Sequence, residues 1–337
     1  MKPIKQFHKI IFACILPGSL VLSGCFHEDD TENMTPTATA TTAASAAEAS
    51  VVTLNGSGTG DGALSYAWSQ KSGTLAVLKN TDSADASFIA PVLDLTNTTE
   101  TLVFELTVTD ADAETATAEV SIMVDLDTTI SKYKVTTTNI TNGQPLTPIA
   151  AVLHDSTFRP WAVGSAASTG LEILAESGSP REFVTESVND NSGAIAAGAA
   201  DGIAIPGASK TVLVGATASA SHMLSIASML ANTNDAFSGV QQLAVGGLAV
   251  DETETRFAHV YDAGTEKNTE SSGTVAGPAD ASTAADKGFS ATRDDPSSFV
   301  SLHGGVVTVD DGLSTSVLDE SHRWMTYAAK IEVTRIQ

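Results

Sequence analysis

Leu102-Val103-Phe104-Glu105-Leu106-Thr107-Val108-Thr109-Asp110 sets large apolar side chains at 102, 104, 106 and 108 against Val103, Glu105 and Thr107. A period of two is the signature of a strand with one face on a core and one in water. The pattern extends to both sides. Ala116, Ala118, Val120, Ile122 and Val124 alternate after it, and Leu64, Tyr66 and Trp68 alternate with Ser65, Ala67 and Ser69 before it. Clusters such as Asn55-Gly56-Ser57-Gly58 and Asp110-Ala111-Asp112-Ala113 read as the turns between strands. Short antiparallel strands at this spacing from Val51 to Asp127 predict a β-sandwich.

Upstream, Lys2, Lys5 and Lys9 precede the apolar run Ile10 to Leu22, which Pro17 and Gly18 interrupt, and then come Ser23, Gly24 and Cys25. That is the layout of a secretory signal peptide, and its apolar part is shorter than the ~20 residues a spanning helix needs. Leu22-Ser23-Gly24-Cys25 resembles the lipobox of bacterial lipoproteins. The resemblance implies cleavage before Cys25, acylation of that cysteine, palmitate included, and attachment to a membrane through the lipid. The other cysteine, Cys14, lies in the segment expected to be lost, so the mature chain has no internal disulfide. Phe26 occupies the position where Asp would favour inner-membrane retention, so the outer membrane is the expected address. Residues 25–49 are acidic, then rich in Thr and Ala, with almost nothing bulky to bury, and read as a disordered tether.

The chain carries 17 Lys and Arg against 40 Asp and Glu, a formal charge of −23, which disfavours nucleic acid and anionic headgroups as partners and favours cations. Downstream of residue 130 lies a second and larger β-rich segment. Its strand candidates are Tyr133–Asn139, Thr211–Gly215, Met223–Met229, Arg256–Tyr261 and Ala329–Ile336, with one short helix at Leu171–Glu176; Asn189–Gly207 receives no element. The expected architecture is all-β, with two sandwiches in tandem over 50–128 and 130–337, after a signal peptide at 1–24 and a linker at 25–49.

Two loops in the larger segment carry the chemistry. Met229-Leu230-Ala231-Asn232-Thr233-Asn234-Asp235 and Tyr261-Asp262-Ala263-Gly264-Thr265-Glu266 each run from a strand-like stretch into a loop bearing carboxylates. Calcium takes six to eight hard oxygens. Asp262 and Glu266 flank Gly264, which tolerates a tight turn, and Asp235 offers a third carboxylate; a turn or cap role is the plainer reading of each acid. Asp110, Asp112 and Glu114 read as a solvated hairpin turn, and His154, His222, His259 and His303 are scattered. Trp161 and Trp324 are assigned to core packing. Neither His-Glu-x-x-His nor Gly-x-Ser-x-Gly occurs, so zinc-protease and serine-hydrolase chemistry have no motif.

Two family resemblances sharpen this. Leu54-Asn55-Gly56-Ser57, Leu64 to Gln70 with Ser72-Gly73, Ser87-Phe88-Ile89-Ala90-Pro91 and Phe104 to Asp110 resemble the PKD family of immunoglobulin-like domains. That implies a spacer or adhesion module. Tyr133-Lys134-Val135-Thr136, Asn139 to Pro148, Ala175-Glu176 with Gly178, Ser228-Met229-Leu230 leading to Thr233-Asn234-Asp235-Ala236-Phe237, and Asp262-Ala263-Gly264-Thr265-Glu266 resemble the N-terminal domain of the spondins, the F-spondin and mindin family. The resemblance implies a C2-like sandwich with one calcium held by Asp235, Asp262 and Glu266, and Asn268 and Glu270 behind them. It implies a non-catalytic cell-surface protein that binds a protein or a glycan. The alternatives are a structural part of an envelope assembly and an enzyme of unrecognised type.

Overall fold

The computed structural model describes residues 33–190, 193–281 and 288–337. The expected signal peptide, Cys25 and the linker up to residue 32 lie outside the described residues. Among the described residues no helix is long and apolar enough to cross a membrane.

The first domain is a sandwich of two four-stranded sheets. One runs β1 (Thr37–Thr41), β3 (Val51–Thr59), β6 (Asp85–Ile89), β5 (Leu78–Lys79); the other runs β2 (Ser45–Ala47), β8 (Thr115–Asp125), β7 (Thr99–Thr109), β4 (Ser65–Ser72). The alternation that opens the argument sits at its centre: Leu102, Phe104, Leu106 and Val108 of β7 have no exposed surface and pack with Leu54, Trp68, Phe88 and Ile122. The Trp68 indole N–H donates to the Ala84 carbonyl at 3.0 Å, so burial leaves no polar orphan there.

Two expectations are corrected here. The stretch expected to be a disordered tether to residue 49 holds two strands, β1 on β3 in antiparallel register and β2 parallel to β8. Thr is a strong strand former, and the Thr-Ala alternation turns Ala38 and Ala40 toward the core, where an outer strand needs little bulk. Second, Asn55-Gly56-Ser57-Gly58 is not a turn but the interior of β3. A Cβ on Gly56 would lie 2.6 Å from the Ala84 carbonyl, and one on Gly58 2.5 Å from that of Thr37, so these glycines let neighbouring strands close in.

The second domain is one nine-stranded antiparallel sheet. Its order is β11 (Ala194–Ala199), β10 (Ala150–His154), β13 (Met223–Met229), β14 (Ala236–Ala244), β15 (Thr253–Asp262), β17 (Tyr327–Arg335), β9 (Ile130–Asn139), β12 (Ser209–Thr217), with β16 (Ser301–Leu302) added on β15. The sheet curls until its ends meet, since a Cβ on Gly198 of β11 would stand 3.1 Å from the Val212 side chain of β12. The inner face gathers Tyr133, Val135, Leu153, Val214, Leu224, Ile226, Val260 and Ile331 into one core. Two layers are thus made by one bent sheet, in place of two separate ones.

On the outer face lie α1 (Thr169–Ser177) and α2 (Pro180–Asp190), whose Leu171, Leu174, Phe183, Val184 and Val188 cover Ala150, Val152, Ala227 and Phe237. Ser168 caps α1 by accepting from the Leu171 N–H, and Gly178 closes it in the left-handed region at φ 72°. The stretch 189–207 supplies β11 and the bridge from Ala204 to Leu146.

Candidate functional site

The loop between β13 and β14 is braced by Thr233, whose hydroxyl donates to the Leu230 carbonyl at 2.6 Å and accepts from the Ala236 N–H at 3.1 Å. This bracing delivers Asp235 to the start of β14. Because Ala236 pairs with Asp262 across the ladder, the end of β15 lies beside it, and the Ala263 N–H donates to the Asp235 carbonyl at 3.2 Å. Two of the three expected carboxylates, Asp235 and Asp262, therefore meet at one end of adjacent strands.

Asp235 is fully buried. Its Oδ2 accepts from the Thr265 N–H at 2.8 Å, the Thr265 hydroxyl at 3.1 Å and the Glu266 N–H at 3.1 Å, whereas Oδ1 has no partner. Burial, reinforced by the neighbouring Asp262, pushes its carboxyl up to about 7, against the pull of the Thr265 and Glu266 donors. Asp262 accepts from the Gly264 N–H at 2.7 Å and from the Asn268 amide at 2.6 Å. Gly264 sits at φ 70°, with its α-carbon so close to the Phe299 backbone that a Cβ would fall 2.4 Å from the Phe299 carbonyl oxygen. Only glycine fits this turn.

Glu266 joins the site through its backbone N–H, while its side chain lines a cleft of about 250 Å³ with Asn234, Lys267, Ser290 and Asp294. Among the described residues no three His, Cys, Asp or Glu side chains converge into a ready-made metal cage. Of the two expected supporting residues, Asn268 is in place, bonded to Asp262 and within 3.2 Å of the His303 Nε2. Glu270 turns elsewhere, accepting from the Val307 N–H at 3.3 Å.

One carboxylate was not among the expected ligands. Glu176 of α1 is buried, accepts from the Ser290 N–H at 2.8 Å through Oε2, and has no partner at Oε1. Burial raises its pKa, opposed by the Ser290 N–H and the nearby Thr265 hydroxyl. Thr265 thus stands between two buried carboxylates, each with one oxygen unmatched by a donor. Glu172 and Glu176 recur one turn apart in the predicted helix, a spacing the sequence shows, but it does not show that this helix lies against the two loops. Glu172 is matched, by a two-point contact from Arg293.

The remaining candidates are structural. Asp110 accepts from the Asp112 and Glu114 N–H groups at 3.1 and 3.0 Å and so organises a hairpin turn. His154 bonds Ser225 at 2.8 Å and His222 bonds the Tyr133 hydroxyl at 3.3 Å; burial lowers the pKa of both. Trp161 is in the core, and Trp324 is half-buried against His303.

Comparison with known proteins adds two family matches: Spondin_N over residues 100–301 and a PKD domain over residues 40–124. No curated protein sequence matches the chain. Among solved structures, the PKD domain of the KIAA 1837 protein is 25% identical over 26% of this chain and 87% of its own, with a TM-score of 0.21. A nucleoside hydrolase-related hypothetical protein from Saccharophagus degradans, described as associated with carbohydrate metabolism, is 19% identical over 28% of this chain, with a TM-score of 0.23. This chain spans about a quarter, 26%, of that protein's length. The two matched domain types are generally non-catalytic and of an extracellular adhesion or binding kind.

Proposed function

The chain belongs to the Spondin_N family, and from that premise we propose that it is a non-catalytic, lipid-anchored surface protein that binds calcium and presents a binding face to a protein or glycan. The observation that carries the calcium reading is the Asp235 Oδ1. A carboxylate oxygen fully buried with no donor needs a proton or a cation, and the neighbouring Asp262 makes a divalent cation the better match. Asp235 and Asp262 would hold the ion, Glu266, whose N–H bonds Asp235, and Glu176, beside Thr265, would be further acids at hand, and Asn268 would orient Asp262. Calcium supplies hard positive charge that ties the β13–β14 loop to the end of β15; the chain's own part is to keep those loops in place for a partner.

Thermal unfolding in calcium and in EGTA tests this. An ion that binds only the native state adds about 2.7 kcal/mol at a hundred times its dissociation constant. Asp262→Asn is expected to abolish the response, and an unchanged response in that variant would remove the site assignment. The anchor has its own test. Incorporation of labelled palmitate is expected in the whole chain and lost in Cys25→Ser, and equal labelling of both would refute attachment at Cys25. Fractionation of the labelled protein distinguishes the proposed outer-membrane address from the inner membrane.

A further inference from the structure

The binding face itself is unassigned, and the outer surface of β14, β15 and β17 carries a feature the calcium site does not use. Along β15 the inward Ala258 and Val260 are buried in the core, and Phe257, His259 and Tyr261 stand on the opposite side. Tyr327 of β17 closes the row, its ring centroid 5.6 Å from that of Phe257 and 4.7 Å from that of His259. Phe257 is 49% exposed and Tyr327 39%, high for rings already packed on one another. Gly239 lies opposite His259 in the ladder, so the two residues share a face. A Cβ on Gly239 would sit 2.8 Å from the Trp161 ring, which therefore packs directly on this glycine on the same face. The result is a groove of about 470 Å³.

Its chemistry is selective. In a chain with 40 acidic residues, none of the described residues lining this groove is a carboxylate. The polar groups there are the Thr255 hydroxyl, the His259 ring, the Gln241 amide, which is bonded to the Trp161 carbonyl and indole N–H, and Arg256, whose charge is matched by Glu254. A cationic ligand finds no counter-charge in it, and a polyanion meets the net charge of the whole chain. Flat apolar rings with a rim of uncharged donors and acceptors match a pyranose, which has C–H bonds on its faces and hydroxyls around its edge.

We propose that this groove binds a neutral oligosaccharide, with Phe257 and Tyr327 as stacking platforms and Thr255 and His259 as hydroxyl partners. The proposal deepens the reading of the chain as a surface-binding module and rests on it. Rings fixed on a strand and braced against each other lose little freedom on binding, which favours affinity from a small contact.

Calorimetric titration of the full chain with cellohexaose, laminarihexaose and chitohexaose tests it. At least one is expected to bind, and Tyr327→Ala and Phe257→Ala are each expected to weaken that binding by about tenfold or more. Tyr66→Ala, in the other domain, is the control and should bind normally. Both groove side chains are substantially exposed, so the melting temperature of the variants should stay near that of the parent. Absence of binding by all three sugars, or full binding by a folded Tyr327→Ala, overturns the groove assignment. The calcium reading fails separately: a chain that binds sugar but shows no calcium-dependent melting shift keeps the groove and loses the metal, and the reverse pattern keeps the metal and loses the groove.

Discussion

Lys132→Met is expected to destabilise the chain by about 3–5 kcal/mol, the cost of leaving the opposite charge of a buried ion pair without its partner. Lys132 in β9 and Glu48, just after β2, form an ion pair with neither side chain exposed. Glu48 is held in addition by two backbone donors, Asp127 N–H on Oε1 and Leu93 N–H on Oε2, both at 2.7 Å. Without the ammonium group, a fully buried carboxylate keeps those two donors and loses its ion-pair partner. The pair spans the junction between the two domains, where β8 ends at Asp125 and β9 begins at Ile130. Other contacts cross there too. Lys79 donates to the Val188 carbonyl at 2.9 Å, Val77 packs into the core under the helices, and the Gln337 amide donates to the carbonyls of Asp127 and Ile130.

Urea unfolding followed by tryptophan fluorescence measures the effect, with Trp68 reporting the first domain and Trp161 the second. The coupling of the domains implies one transition in the parent chain. The double variant Glu48→Leu with Lys132→Met is expected to recover most of the loss, since an apolar pair of similar bulk replaces both charges. A single Lys132→Met variant within 1 kcal/mol of the parent, an effect too small for a broken buried pair, would show that the pair is not held as described. The PKD domain on this account is no free spacer but is seated on the spondin domain through a buried contact.

That contact also shows why the sequence is legible in some places and not in others. Strands with a buried face announce themselves through alternation, so β7, β8, β13 and the end of β17 could be read directly. The segment 37–49 could not, because its strands use Ala and Thr and its one decisive residue, Glu48, looks like any surface acid until Lys132 is placed beside it 84 positions later. The second helix was legible and missed: Ser179-Pro180-Arg181-Glu182 has the Ser-x-x-Glu sequence of a capping box with proline at the first helical position, although in the structure the Ser179 hydroxyl donates to the Glu182 carboxylate at 2.5 Å and the Ser179 N–H to Ser177. Asp235 and Asp262 could be found because both stand at strand ends in adjacent loops. The role of Glu176 depends on α1 lying against those loops, which no local pattern records.

In EGTA, the stability of the chain is expected to fall as pH rises from about 4 to about 7, through Asp235. In the unfolded chain its carboxyl has the ordinary value of 3.8, and in the folded chain it is raised to about 7. Between those values the native state holds a proton that the unfolded state has lost, so stability decreases with pH, by roughly 4 kcal/mol over the whole window at 1.36 kcal/mol per unit. The stabilising contribution is complete below pH 4 and gone above pH 7. His154 and His222 act in the opposite sense: burial lowers both, so what they contribute is present above 6.5 and is lost as pH falls through their folded values. The Asp235 contribution is isolated by difference from Asp235→Asn, which keeps the Oδ2 contacts available to Thr265 and Glu266 but cannot ionise. Relative to that variant, the parent in EGTA should lose stability between about pH 4 and 7, while in calcium that loss should vanish, because the cation takes the place of the proton on Oδ1. Denaturant unfolding at four pH values, with and without calcium, reads both effects. Parallel curves for parent and variant in EGTA would mean that Oδ1 is satisfied by a donor in solution, and with it would go the physical reason for a cation there; divergent curves that calcium brings together would make the proton and the metal competitors for one oxygen.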